Sequence, residues 1–196
     1  FIANPNNPTG TIIMKNELIS FLKKVPQNIL VVVDGAYAEY VTDLRFSDGL
    51  NLTNQFPNLI ITRTFSKIFA LAGLRLGWAY SSEKIIETLE KIRGPFNVNI
   101  VAQNIGSLIL KEDNFLKKSI RHNMVWKKKL SAFVNSLGLE TYETYANFVL
   151  IRIDKAKFKK KTLIKKLIEK DIIIRDLENY DLPEFIRVSV GTSLEM

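Results

Sequence analysis

Five consecutive apolar residues, Ile29-Leu30-Val31-Val32-Val33, run straight into a carboxylate, Asp34. A run this short and this β-branched predicts a strand, and the lack of polar alternation predicts a strand covered on both faces. Strands of that kind belong to parallel sheets whose connections are helices, so the run points to an α/β fold. The flanking pattern agrees. Phe1-Ala3 predicts a short strand that enters a turn-rich segment, Asn4 to Gly10. Leu18, Ile19, Phe21, Leu22 and Val25 mark a helical stripe closed by Pro26. Leu59-Thr62 and Leu76-Tyr80 are further strands, and Ile85, Ile86, Leu89 and Ile92 a further helix.

The pattern changes after about residue 110. Phe115, Leu116, Ile120, Val125, Leu130, Phe133, Val134 and Leu137 recur at helical steps across one long helix, and Gly138 suits its C-terminal cap. Strands are expected at Phe148-Ile151, Ile172-Ile174 and Ile186-Val190, with a helix carrying Leu163, Ile164, Leu167 and Ile168 after the first. The expectation is two domains: residues 1–112, an α/β part with a mostly parallel sheet, and residues 113–196, a smaller α+β part that includes the long helix.

Composition excludes several function classes. Hydrophobic residues at 46% and charged residues at 24% describe a folded globular chain, and no apolar run approaches membrane-spanning length. The chain has no cysteine, which removes disulfides and thiolate metal sites and sits easily with a reducing cytoplasm. The net charge of +8 gathers at Lys23-Lys24, Lys127-Lys129, Lys159-Lys161 and Lys165-Lys166. These lysines lie in helical stretches with no aromatic residues between them to stack bases, so they are expected on solvated helix faces rather than on a nucleic acid. The single histidine, His122, lies among basic residues far from any nucleophile and is expected at the surface or in packing.

The candidate chemistry falls at strand ends. Asn4-Pro5-Asn6-Asn7-Pro8-Thr9-Gly10 is dense in turn formers and places the Asn7 amide just past a strand. Asp34 is either a helix cap or a site acid, with the Tyr37 phenol three residues on. Thr62-Arg63-Thr64-Phe65-Ser66-Lys67 closes a strand on hydroxyls and an amine, and Arg75 follows in Leu71-Ala72-Gly73-Leu74-Arg75-Leu76-Gly77. Hydroxyls with a guanidinium suit a phosphate, while neither a Walker A loop nor G-x-G-x-x-G is present. Arg175 and Arg187 flank the last strands and need anionic partners, either a ligand or Asp176 and Glu178. An amide, an acid, a phenol, a phosphate-suited cluster and an amine, in this order, match pyridoxal phosphate chemistry.

On these motifs the chain resembles fold-type I aminotransferases with the aspartate aminotransferase-like architecture, and within them the histidinol-phosphate aminotransferase family. The motifs Asn6-Asn7-Pro8-Thr9-Gly10, Asp34-Gly35-Ala36-Tyr37 and Thr64-Phe65-Ser66-Lys67 with Arg75 carry the broad resemblance. Arg93-Gly94-Pro95-Phe96-Asn97-Val98-Asn99, Ala146-Asn147-Phe148-Val149-Leu150 and Ile186-Arg187-Val188-Ser189-Val190-Gly191-Thr192 carry the narrower one. The resemblance implies that Lys67 forms the Schiff base and then moves the substrate proton. It implies that Asp34 holds the pyridine nitrogen protonated, that Asn7 and Tyr37 bond the ring's 3′ oxygen, and that Thr64, Ser66 and Arg75 hold the cofactor phosphate. Arg187, with Arg175 as a second contact, would bind the substrate anion, and Asn147 would lie near the substrate.

The implied reaction is amino transfer between L-histidinol phosphate and 2-oxoglutarate in histidine biosynthesis, by a cytoplasmic homodimer that engages neither nucleic acid nor membrane. The rivals are an aromatic amino acid aminotransferase, a decarboxylase of phosphate-bearing amino acids, and a non-catalytic binding fragment. Against the family's pattern, the chain is expected to be a fragment of a longer parent, with the N-terminal half and the end of the last helix lying outside Phe1–Met196. The isolated segment is therefore expected to be inactive.

Overall fold

The computed structural model describes residues 1–154 and 159–196, which form two compact units. Phe1–Asn6 and Ile12–Ile120 make the first, and Asn7–Thr11 and Arg121–Met196 the second.

The first unit holds a four-stranded sheet in the order β1 (Ile2–Ala3), β2 (Val31–Asp34), β3 (Leu59–Thr64), β4 (Gly77–Tyr80). The β1–β2 and β2–β3 pairings are parallel and β3–β4 is antiparallel. Helix α1 (Lys15–Leu22) buries Leu18 and Leu22 against Val31, Val33, Leu59 and Ile61, the apolar face of the central strands. Burying side chains of this size stabilises by roughly 1.5–3 kcal/mol each, so this cluster fixes which face of the sheet the helix covers. Because β1, β2 and β3 run in the same direction, their carboxyl ends share one edge, with Ala3 opposite Asp34 and Asp34 opposite Thr62.

Several expectations change here. The apolar run does not pair along its whole length: Ile29 and Leu30 precede β2 and are 51% and 57% exposed, while the strand extends through Asp34. Val25 lies beyond the end of α1. Helix α2 (Glu83–Ile92) is where the spacing placed it, but helix α3 (Ile100–Ile109) was not expected. The helix is only ten residues long, and Gly106, a weak helix former, sits inside it, which hides its apolar spacing of Ile100, Val101, Ile105, Leu108 and Ile109. Its start was nonetheless written in the sequence, because Asn99 caps it by accepting the Ala102 N–H at 2.8 Å. Gly106 has a packing reason, since a β-carbon there would lie 2.5 Å from the Leu76 side chain.

Helix α4 (Asp113–Ser136) is counted with the first unit as far as Ile120 and with the second from Arg121, and Gly138 beyond it has φ +80°. The second unit's sheet runs β5 (Glu140–Tyr142), β6 (Phe148–Arg152), β8 (Phe185–Ser189), β7 (Arg175–Asp176), all antiparallel. Helix α5 (Lys160–Ile168) lies between β6 and β7 in the chain. Val134, Val149, Ile151, Ile153 and Ile186 form the core, with Leu163 and Ile174 packed on it. The expected strand Ile172-Ile174 is not one. Ile172 and Ile173 are 47% and 87% exposed, and pairing begins only at Arg175. Strand β5 was not expected at all, being only three residues long.

Lys127 also departs from the solvated face predicted for the lysine clusters. It is half-buried, its Nζ donates to the Thr144 carbonyl, and burial lowers its pKa against the opposing pull of Glu143. An amine with a folded pKa below its unfolded value gives stability that is complete above the unfolded value of 10.5 and is lost as pH falls through the folded one. The expected result is that the melting temperature of wild type falls relative to that of Lys127→Met as pH is lowered from about 11. A difference that stays constant with pH would rule out the burial effect.

Candidate active site

The carboxyl edge of the first sheet gathers six of the expected residues. Asp34 ends β2 with an exposed carboxylate whose Oδ1 accepts the Ala36 N–H at 3.0 Å. Tyr37 follows on the tight turn, its ring buried, and the Lys67 Nζ lies 5.4 Å from the centroid of that ring. The amine is presented by the chain on either side of it. Phe65 and Ile68 are 4% and 2% exposed, and these two pegs leave Lys67 between them facing solvent.

The phosphate-suited cluster is drawn together by the same turn. The Thr64 hydroxyl accepts the Ser66 N–H at 3.0 Å, and Phe65 N–H donates to the Leu76 carbonyl at 3.1 Å, placing the turn beside Arg75. Arg75 donates to the Ala72 carbonyl at 2.7 Å and approaches the Ser66 hydroxyl at 3.5 Å. Its backbone is left-handed, φ 57°, which costs a non-glycine residue about 1–2 kcal/mol and is held where the surrounding structure demands it. A cation and two hydroxyls brought together in this way fit an anion with several acceptor oxygens.

Asn7, Asn147, Arg175 and Arg187 fall in the second unit. Arg187, on β8, donates through Nη1 to Asn7 Oδ1, and its guanidinium stands 5.0 Å from the Phe148 ring centroid. Its Nε is buried without a partner among the described residues. Arg175 on β7 is directly opposite Arg187 in the register, so both side chains stand on one face of the sheet. Two cations placed opposite one another are unfavourable unless an anion lies between them. Neither takes Asp176, whose carboxylate accepts from Lys160 at 2.7 Å. Both arginines line a pocket of about 600 Å³ with Ile174, Val188, Gly191 and Glu195.

Asn147 is half-buried and its carbonyl accepts the Val190 N–H at 2.8 Å. The loop before it is tied to the Asn7–Thr11 turn, as Tyr145 N–H donates to the Gly10 carbonyl at 2.8 Å. Gly10, at φ +74°, lies so close to Thr144 that any β-carbon would overlap it. His122 is a packing residue: its Nε2 bonds the Gly191 carbonyl at 2.8 Å. Arg63 was not singled out by strand pattern or motif, yet it is 8% exposed and joins Asp48 and Glu39. Among the described residues no cluster of His, Cys, Asp and Glu is placed to hold a metal, and no helix is long and apolar enough to cross a membrane.

The profile of the aminotransferase class I and II family matches residues 1–196, and the chain belongs to that family, with an aspartate aminotransferase-like fold. Among curated relatives, it is 41% identical over 196 residues to the histidinol-phosphate aminotransferase of Pelagibacter ubique, covering all of this chain and 54% of that one. It is 44% identical over 194 residues to the histidinol-phosphate aminotransferase of Caldicellulosiruptor saccharolyticus, covering 97% and 52%. The crystal structure of histidinol-phosphate aminotransferase from Sinorhizobium meliloti in complex with pyridoxal-5′-phosphate superposes with a TM-score of 0.91 at 26% identity, over 98% of this chain and 52% of that one. The chain spans about half the length of the curated relatives it matches.

Proposed function

We propose that this chain is the cofactor-lysine half of a pyridoxal phosphate-dependent aminotransferase that moves an amino group between L-histidinol phosphate and 2-oxoglutarate. The observation that carries this reading is the single sheet edge where Asp34, Tyr37, Thr64, Ser66, Lys67 and Arg75 stand together. In this reading residues 1–112 are part of the cofactor-binding domain and residues 113–196 the small domain. The cysteine-free chain suits a reducing cytoplasm, and the family likeness suggests a homodimer.

When bound, pyridoxal phosphate supplies an electron sink for the substrate carbon that loses its proton. Thr64, Ser66 and Arg75 would hold its phosphate by charge-assisted hydrogen bonds. Asp34 would keep a proton on the pyridine nitrogen, because an anion beside that nitrogen favours its charged form. The Tyr37 phenol and the Asn7 amide would bond the ring's 3′ oxygen. Lys67 would bind the aldehyde carbon and, once released by substrate, carry a proton from the substrate carbon through its Nζ.

Arg187 and Arg175 support a phosphate-bearing substrate, since two guanidiniums on one sheet face match a dianion better than a single carboxylate. The same pair would then receive the carboxylate of the second substrate. The test is the absorption spectrum of the full-length protein carrying this chain. A band near roughly 400 nm that collapses toward about 330 nm on adding histidinol phosphate is the expected result. Collapse with phenylalanine or tyrosine alone would select the aromatic rival, and carbon dioxide release would select the decarboxylase.

A further inference from the structure

The face of β3 opposite Thr62 and Thr64 carries Leu59 and Ile61, both fully buried in the core, and then a cation, Arg63. A buried guanidinium at the end of an apolar stripe has a cost unless partners meet it. They come from the chain just after β2. Nη1 is 3.0 Å from the Glu39 carboxylate and 3.4 Å from the Gly35 carbonyl, and Nη2 is 2.8 Å from the Asp48 carboxylate. Gly35 packs so closely on this side chain that a β-carbon there would lie 3.0 Å from Arg63 Cδ.

Gly35 and Glu39 bracket Tyr37 in the chain. The turn between them is closed by Ala38 N–H to the Gly35 carbonyl at 3.0 Å and Tyr40 N–H to the Tyr37 carbonyl at 3.1 Å. Arg63 therefore grips both ends of the segment that carries the phenol, from the side of the sheet away from Thr64. We infer that Arg63 is a positioning residue that sets the height of the Tyr37 phenol beside Lys67, and through it the acidity of the bound cofactor. The inference rests on the cofactor reading above. Arg63 reaches neither Lys67 nor the phosphate cluster, so its effect passes through Tyr37.

The experiment is a pH titration of the cofactor band in the full-length protein loaded with pyridoxal phosphate, with melting temperatures measured alongside. A hydrogen bond to the deprotonated form favours it, so displacing the phenol raises the midpoint. Arg63→Met and Glu39→Gln are expected to raise it by about one pH unit, a tenfold change in proton affinity. Tyr37→Phe is expected to do the same, and Arg63→Met combined with Tyr37→Phe to shift no further than Tyr37→Phe alone. Arg63→Lys, which reaches one carboxylate only, is expected to fall between. Should Arg63→Met not fold, Glu39→Gln decides, because it leaves the Arg63–Asp48 pair in place.

Variants that melt earlier but keep the wild-type midpoint would overturn the inference, as would shifts that add in the double variant. A wild-type protein that develops no band overturns the cofactor reading itself and the inference with it.

Discussion

Lys67→Ala in the full-length protein is expected to abolish the collapse of the band near roughly 400 nm on adding histidinol phosphate and to lower turnover by about 10⁴-fold. The expectation rests on placement. Lys67 is exposed at the carboxyl edge of a parallel sheet, held between the buried side chains of Phe65 and Ile68. Its Nζ stands 5.4 Å from the ring centroid of Tyr37. The residues that flank the amine are fixed by packing, and among the described residues the amine's contact with the Tyr37 ring is weaker than that packing. Removing it should leave the fold intact while deleting both the covalent link and the proton carrier. Lys67→Arg is the control, since it keeps the charge but its guanidinium stays protonated and cannot serve as a base. If Lys67→Ala retained that collapse, the proton carrier would have to come from elsewhere and the proposed site would be wrong. An unchanged melting temperature would separate lost chemistry from lost structure.

Arg187→Ala is expected to lower kcat/KM for histidinol phosphate by about 10²-fold or more, corresponding to ~3 kcal/mol for truncating one side of a buried charge pair. The half-buried Arg187 carries a buried Nε with no partner among the described residues and stands opposite a second cation, Arg175. That is the environment of a guanidinium waiting for an anion. Arg175 is exposed, and its guanidinium lies 5.8 Å from the Tyr180 ring centroid, so Arg175→Ala is expected to cost less, about tenfold. Arg187→Lys should not restore the rate, because an ammonium cannot reproduce a planar two-pronged contact. The measurement is steady-state kinetics with histidinol phosphate and with phenylalanine. Equal losses for both substrates would mean that the pair does not select a phosphate. No loss for either would remove Arg187 from the site.

Much of the site was legible because its residues are local in sequence. Asp34 follows an apolar run, and Thr64, Ser66 and Lys67 follow another, so their arrival at strand ends needed only the strand pattern. The long helix and its glycine were equally plain, for the period persists over 24 residues. Helix α3 escaped because it is short and carries Gly106, a weak helix former, inside it, and β5 because three residues carry no period. Ile172-Ile174 has strand composition, but the β7–β8 ladder pairs Arg175 and Asp176 instead.

The sequence by itself determined the α/β character of the first part, the order of the amide, acid, phenol, hydroxyls and amine, and the resemblance those motifs carry. These follow from short-range patterns, since strand and helix periods are properties of neighbouring residues. Only the tertiary structure decided that Arg63 is buried against Asp48 and Glu39, that Lys127 leaves the solvated face for the Thr144 carbonyl, and that Arg175 and Arg187 stand opposite each other. Burial and register depend on which distant segment covers a face, and no local period encodes that.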